Sequence, residues 1–115
     1  MHELSIVAGL FEILLEKAGA QHALKITRVH LKVGKLSGVV PEALETAFEA
    51  YKQGTIAEPA RLEIEELPLK VKCQDCEWED VLATYIFVCP ACRSTNLKIL
   101  QGTELLLEKI ELEIA

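Results

Sequence analysis

Cys73-Gln74-Asp75-Cys76 and Cys89-Pro90-Ala91-Cys92 hold all four cysteines of the chain, with twelve residues between the pairs. Two-residue spacing lets one tight loop present both sulfurs to the same ion, and two such loops close a tetrahedron. Between them, Val81 to Val88 can make a short hairpin that brings the loops together. The surrounding segment, about residues 69–101, has too little apolar sequence for a core of its own. An ion is therefore expected to hold it together, and structural zinc contributes on the order of 10–16 kcal/mol in finger peptides.

The leading reading is Zn²⁺ held by Cys73, Cys76, Cys89 and Cys92. An iron centre of the rubredoxin kind also suits four thiolates. A nucleic-acid-binding ribbon fits less well, since Lys70, Lys72, Arg93 and Lys98 are cancelled by Asp75, Glu77, Glu79 and Asp80. Four thiolates around Zn²⁺ add a further charge of about −2, which repels phosphate. A catalytic dithiol would need only one pair.

Outside this insert, helical and strand periods alternate. Leu4, Val7, Ala8, Phe11, Leu14, Leu15 and Ala18 follow the helical repeat over residues 4–18, with Gly19 placed as a C-cap. Ile6, Leu10 and Ile13 form a second apolar stripe, so this helix should touch more than one element. Residues 25–33 alternate as a half-buried strand: Thr27, Val29, Leu31 and Val33 point one way, and Arg28, His30 and Lys32 the other. Pro41 suits the first position of a second helix whose face is Ala43, Leu44, Ala47, Phe48 and Tyr51, closed by Gly54. A second strand runs from Arg61 to Leu67 and stops at Pro68. A third, Glu104 to Ala115, switches its inward set from Leu105 and Leu107 to Ile110, Leu112 and Ile114, the trace of a bulge or bend. The expected fold is α+β: two helices packed on a small three-stranded sheet, with an inserted zinc-ribbon-like four-cysteine domain. The body is residues 1–68 plus 102–115, and the insert is 69–101.

Composition narrows the function. The chain has 115 residues, one domain's worth, and half are hydrophobic, so it should fold. Lys and Arg number 12 against 18 Asp and Glu, a net charge of −6 that makes a poor binder of nucleic acid. No run is long and apolar enough to span a membrane. The apolar start carries Glu3 and Glu12, and its first lysine is Lys17, unlike a signal peptide. A cytoplasmic location is expected, where reduced thiols serve as metal ligands rather than disulfides. No nucleophile–base pair, phosphate-cradling glycine loop or carboxylate pair suggests an enzyme.

Met1-His2-Glu3 is the other unusual stretch. Initiator Met is usually kept before a residue as large as His, so the chain is expected to start Met-His. That puts a free amine, the backbone amides of His2 and Glu3, and the His2 imidazole on one short peptide. Such a planar nitrogen set suits Ni(II) or Cu(II), although a second-position His is more often just solvated. His22 and His30 read as a loop residue and an exposed strand residue, and Glu108, Glu111 and Glu113 as a solvated strand face.

Taken together, the terminus and the cluster make the chain resemble the HypA/HybF family of hydrogenase nickel-incorporation proteins. The resemblance runs nearly end to end. It covers Met1-His2-Glu3-Leu4-Ser5, Val33-Gly34-Lys35-Leu36-Ser37-Gly38-Val39, Pro41-Glu42-Ala43-Leu44, Phe48-Glu49, Gly54-Thr55, Leu62-Glu63-Ile64, Pro68, both cysteine pairs, Gly102-Thr103-Glu104-Leu105 and Ile110-Glu111. It implies a metallochaperone that passes Ni(II) to the large subunit of [NiFe]-hydrogenase with a HypB-type GTPase. Some members also serve urease and its accessory proteins. It further implies nickel at His2, the Met1 amine and the His2 and Glu3 amides, and zinc at Cys73, Cys76, Cys89 and Cys92. Residues 1–68 plus 102–115 would then be the nickel-binding domain and 69–101 the zinc-binding one. Family members often carry Gly just after each cysteine pair, where this chain has Glu77 and Arg93. If the backbone there stays left-handed, each non-Gly residue costs roughly 1–2 kcal/mol. The rival reading is a zinc-ribbon interaction module with no cargo metal.

Overall fold

The computed structural model describes residues 3–83 and 86–115. Its elements follow the order α1 (Glu3–Ala20), β1 (Ala23–Gly34), α2 (Pro41–Tyr51), β2 (Arg61–Leu67), β3 (Lys70–Cys73), β4 (Glu79–Val81), β5 (Leu97–Gln101) and β6 (Leu105–Ile114). Two three-stranded sheets result, with orders β2-β1-β6 and β4-β3-β5. The fold is α+β, as the alternation of periods implies. The chain separates into two compact units. One takes in the chain up to Lys32, Val39–Glu65 and Leu106–Ala115; the other is Val33–Gly38 with Glu66–Leu105.

In the first unit, α1 buries Val7, Leu10, Phe11, Leu14 and Ala18, the central stripe of its wide apolar arc. The Phe11 ring lies 5.3 Å from that of Phe48 and 5.1 Å from that of Tyr51, both on α2, so the second element that α1 meets is the other helix. Leu4, Ile13 and Leu15 remain exposed. α2 starts at Pro41 behind extended Val40, with no side-chain cap. Proline has no N–H there to leave unsatisfied. The helix ending differs from the expectation at Gly19: α1 runs on to Ala20, and the left-handed residue is His22, φ 54°. Its amide donates to the Gly19 carbonyl at 3.1 Å, closing the turn without a glycine.

β1 is the middle strand of the first sheet. Val29, Leu31 and Val33 are buried as the alternation requires, but Thr27 is exposed and Ile26 is buried instead. The inward set therefore changes parity between Ile26 and Val29. There the Ile26 amide donates to the Ile56 carbonyl, and Thr27 Oγ1 donates to the Glu111 carbonyl. The outward face sets Arg28, His30 and Lys32 between carboxylates. Arg28 meets Glu63 and Glu111, His30 sits 3.8 Å from Glu63 and 3.4 Å from Glu65, and Lys32 meets Glu108 at 2.7 Å. Partners of one β1 face thus fall three residues apart on β6, which is the parity switch expected in that strand. The face expected to be merely solvated is a network of ion pairs.

The pair between Lys32 and Glu108 fixes a pH dependence. The hydrogen bond from Lys32, aided by its charge against partial desolvation, holds the Glu108 carboxyl below its ordinary value. Folding thus favours the carboxylate, and this contribution is complete above the ordinary carboxyl range. It fades as pH falls through the lowered native value. Glu108→Gln should lower the urea midpoint near neutrality. The two proteins should converge as pH falls below the ordinary carboxyl range, so that the variant has the flatter acid limb.

Candidate metal centre

The second unit is built on β3, flanked antiparallel by β4 and β5. Lys70–Cys73 alternates outward and inward, so Val71 and Cys73 are buried. The hairpin expected over 81–88 is not what joins the cysteine loops. Among the described residues only β4 (Glu79–Val81) is strand there, and it pairs back onto β3. β3 itself leads into the first loop, and β5 follows the second.

Both loops have the same construction. The Glu77 amide donates to the Cys73 carbonyl at 3.1 Å and the Cys73 amide to the Trp78 carbonyl at 2.7 Å. In the second loop, Arg93 donates to Cys89 and Cys89 to Ser94, each at 2.8 Å. Glu77 and Arg93 have φ of 66° and 63°, so the left-handed turn is kept although neither is glycine. That turn aims the next amide at a sulfur: Trp78 N–H faces Cys76 and Ser94 N–H faces Cys92.

The four sulfurs lie within 4.8 Å of one another. Cys73 and Cys92 Sγ are 3.6 Å apart, and Cys76 and Cys89 Sγ 3.5 Å. Zinc–sulfur bonds of about 2.3 Å place tetrahedral sulfurs roughly 3.8 Å apart, so the donor set fits a thiophilic tetrahedral ion. Cys73 and Cys89 are buried, whereas Cys76 and Cys92 are exposed. Burial pushes the Cys73 thiol up, but the Cys76 and Asp75 amides and neighbouring thiols bring it down to about 7. The Trp78 amide lowers Cys76, yet the three other sulfurs and partial burial push it up to about 12. Cys92 is raised as well: the Ser94 amide and Cys76 lower it, but burial and the Cys73 and Cys89 sulfurs outweigh them. Four thiolates at one point would repel one another, and a cation there would replace the protons that Cys76 and Cys92 retain.

The cysteine spacing gives no hint of how the two loops are locked together. Ser94 Oγ donates a short hydrogen bond to Asp75 Oδ2 and accepts from the Asn96 amide at 3.0 Å. The Gln74 amide donates to the Asn96 carbonyl at 2.9 Å. Asp75 and Ser94 thus clasp one loop to the other; the only sequence signal is a polar residue inside one cysteine pair and another soon after its partner. His2 lies outside the described residues. His30 lies on β1 and His22 in the turn after α1, both in the first unit, and neither belongs to the cluster.

A left-handed residue with a Cβ is strained by roughly 1–2 kcal/mol relative to glycine. Glu77→Gly and Arg93→Gly should therefore each stabilise the metal-loaded protein by about 1 kcal/mol, read as higher thermal midpoints with metal content unchanged.

Residues 1–112 match the family described as hydrogenase/urease nickel incorporation, metallochaperone, HypA. Among similar proteins, hydrogenase maturation factor HypA of Shewanella baltica is 47% identical over 113 residues, spanning 98% of this chain and 97% of that protein. The factor of the same name from Aquifex aeolicus is 41% identical over 114 residues, covering 99% of each. The solution structure of the Ni metallochaperone HypA from Helicobacter pylori superposes with a TM-score of 0.69 at 30% identity, over 100% of both chains. A second solution structure of a HypA protein gives 0.72 at 31%, covering 97% of this chain and 96% of that one. A match this long, in sequence and fold together, places this protein among maturation factors rather than catalysts: the chain belongs to the HypA family of nickel-incorporation metallochaperones.

Proposed function

We propose that this protein takes up Ni(II) at its first residues and delivers it to the large subunit of [NiFe]-hydrogenase, working with a HypB-type GTPase. Urease maturation is a second destination that the family description includes. The observation that carries this reading is the family match over residues 1–112 in a chain that opens Met1-His2-Glu3. The Met1 amine, the His2 and Glu3 amides and the His2 imidazole would hold Ni(II) through nitrogen, a donor set that suits its planar geometry. A site at a chain terminus lets its ion go without a buried cage being dismantled. The cytoplasm is the proposed compartment, since thiols such as the four free cysteines stay reduced there.

The division of labour extends to the second metal. Cys73, Cys76, Cys89 and Cys92 are the proposed ligands of a resident Zn²⁺, which supplies closure of the two loops rather than chemistry. The amides at Cys76, Asp75, Trp78 and Ser94 offset the crowding of anionic sulfurs. Asp75 and Ser94 keep the loops at a fixed separation. In this proposal residues 69–101, the cysteine-bearing part of the second unit, serve as a zinc-braced scaffold, and 1–68 plus 102–115 as the nickel-binding domain.

His2→Ala should abolish nickel uptake, followed by the d–d band of planar Ni(II), while zinc content and the far-UV spectrum stay unchanged. Extra residues before Met1 should also weaken nickel, because the amine becomes an amide. Undiminished uptake in either protein would overturn the assignment. A native-start chain that keeps zinc but ignores Ni(II) would instead indicate an interaction module without cargo.

Cys73→Ala should lower zinc to substoichiometric levels and destabilise the second unit by several kcal/mol, on the order of what structural zinc sites contribute. Metal analysis and urea unfolding check this together.

A further inference from the structure

Charges across residues 69–101 cancel along the sequence, but the strand register gathers three of the four cations on one face. In the β3–β5 register Lys72 stands directly opposite Lys98, and Lys70 lies two residues along β3 on the same face. Like charges opposite one another destabilise a sheet, so this pairing is not explained by folding. Glu79, opposite Lys72 on β4, is the one carboxylate in these rows, and its pair is with Lys70 at 3.8 Å. Among the described residues Lys72 and Lys98 make no ion pair. Lys98 is exposed, Lys72 half-buried, and the row ends in Val81, 45% exposed. On a chain of net charge −6, this is a cationic face with a small apolar margin.

We propose that the face carrying Lys70, Lys72 and Lys98 is a docking surface for an acidic segment of a partner protein. Charge complementarity identifies the occupant: carboxylates spaced along an extended segment would fall beside Lys98 and Lys72 and relieve their mutual repulsion. Nucleic acid is the poorer fit, because three lysines on an acidic chain release few counterions. The surface is separate from the cysteine cluster, on the side of β3 opposite buried Val71 and Cys73.

The test uses the zinc-loaded full chain, titrated at low salt with an oligoglutamate peptide and followed by amide chemical shifts. Shifts should concentrate on β3 and β5 and fade with added salt. The double substitution Lys72→Gln and Lys98→Gln should weaken binding roughly tenfold. Lys98→Gln alone should raise the thermal midpoint by about 1–2 °C, since it removes the repulsion. Shifts elsewhere, or unchanged affinity in the double variant, would overturn the proposal, and so would a lowered midpoint in Lys98→Gln. Displacement of the peptide by an oligothymidine at equal ionic strength would reassign the face to nucleic acid. Shifts on the same face that grow with protein concentration alone would reassign it to a second copy.

Discussion

Four sulfurs within 4.8 Å of one another cannot all carry negative charge unless a cation stands among them. The second unit is organised around that repulsion. Its buried apolar residues, Val33, Leu69 and Val71 beside Cys73 and Cys89, are too few to force the loops together by burial alone. What the backbone supplies instead is polarity of the right sign. Turning Glu77 and Arg93 into left-handed conformations directs amide N–H groups at sulfur, and the Asp75 and Ser94 clasp holds the two turns in register. Strain at two residues is offset by electrostatic order at four.

The first unit is held by other means. Ring packing of Phe11 with Phe48 and Tyr51 joins its helices, and ion pairs line the outward face of its central strand. A hydrophobic core of that kind needs no metal. Cargo and brace, as proposed, would then differ in kind: nitrogen donors at the first residues, and a sulfur cluster with two of its four cysteines buried. An ion exchanged at the first need not disturb the second.

Local signals carried most of the architecture. Helical spacing located α1 and α2, and alternation located β1 and β2; of the inward set expected in β6, Leu107, Ile110 and Leu112 are half-buried, whereas Leu105 and Ile114 near the strand ends are exposed. Errors arose where a distant partner decides. Ile26 rather than Thr27 is buried because Ile56 and Glu111 bind the start of β1, and neither is near in sequence. His22 rather than Gly19 turns left-handed because the helix gains one more residue before its carbonyls are satisfied. Among the described residues of 81–88 only Val81 is strand, because Glu79–Val81 finds β3 next to it. The four ligands were legible from spacing alone, but Asp75 and Ser94 were not, since a clasp across nineteen positions leaves no periodic trace.

Gly34 and Gly102 approach so closely that a methyl group on the first would strike the carbonyl of the second. Around them Gly34 donates to Glu104, Leu36 to Gly102 and Lys35 to Leu67, so a piece of chain from before α2 is stitched into the cysteine-bearing unit. That unit is thus not a contiguous cassette. Gene fusion or recombination that moved the two cysteine pairs alone into another protein would leave Val33–Gly38 behind, with three backbone acceptors uncovered. The cysteine-bearing unit stays whole only where Val33–Gly38 travels with it.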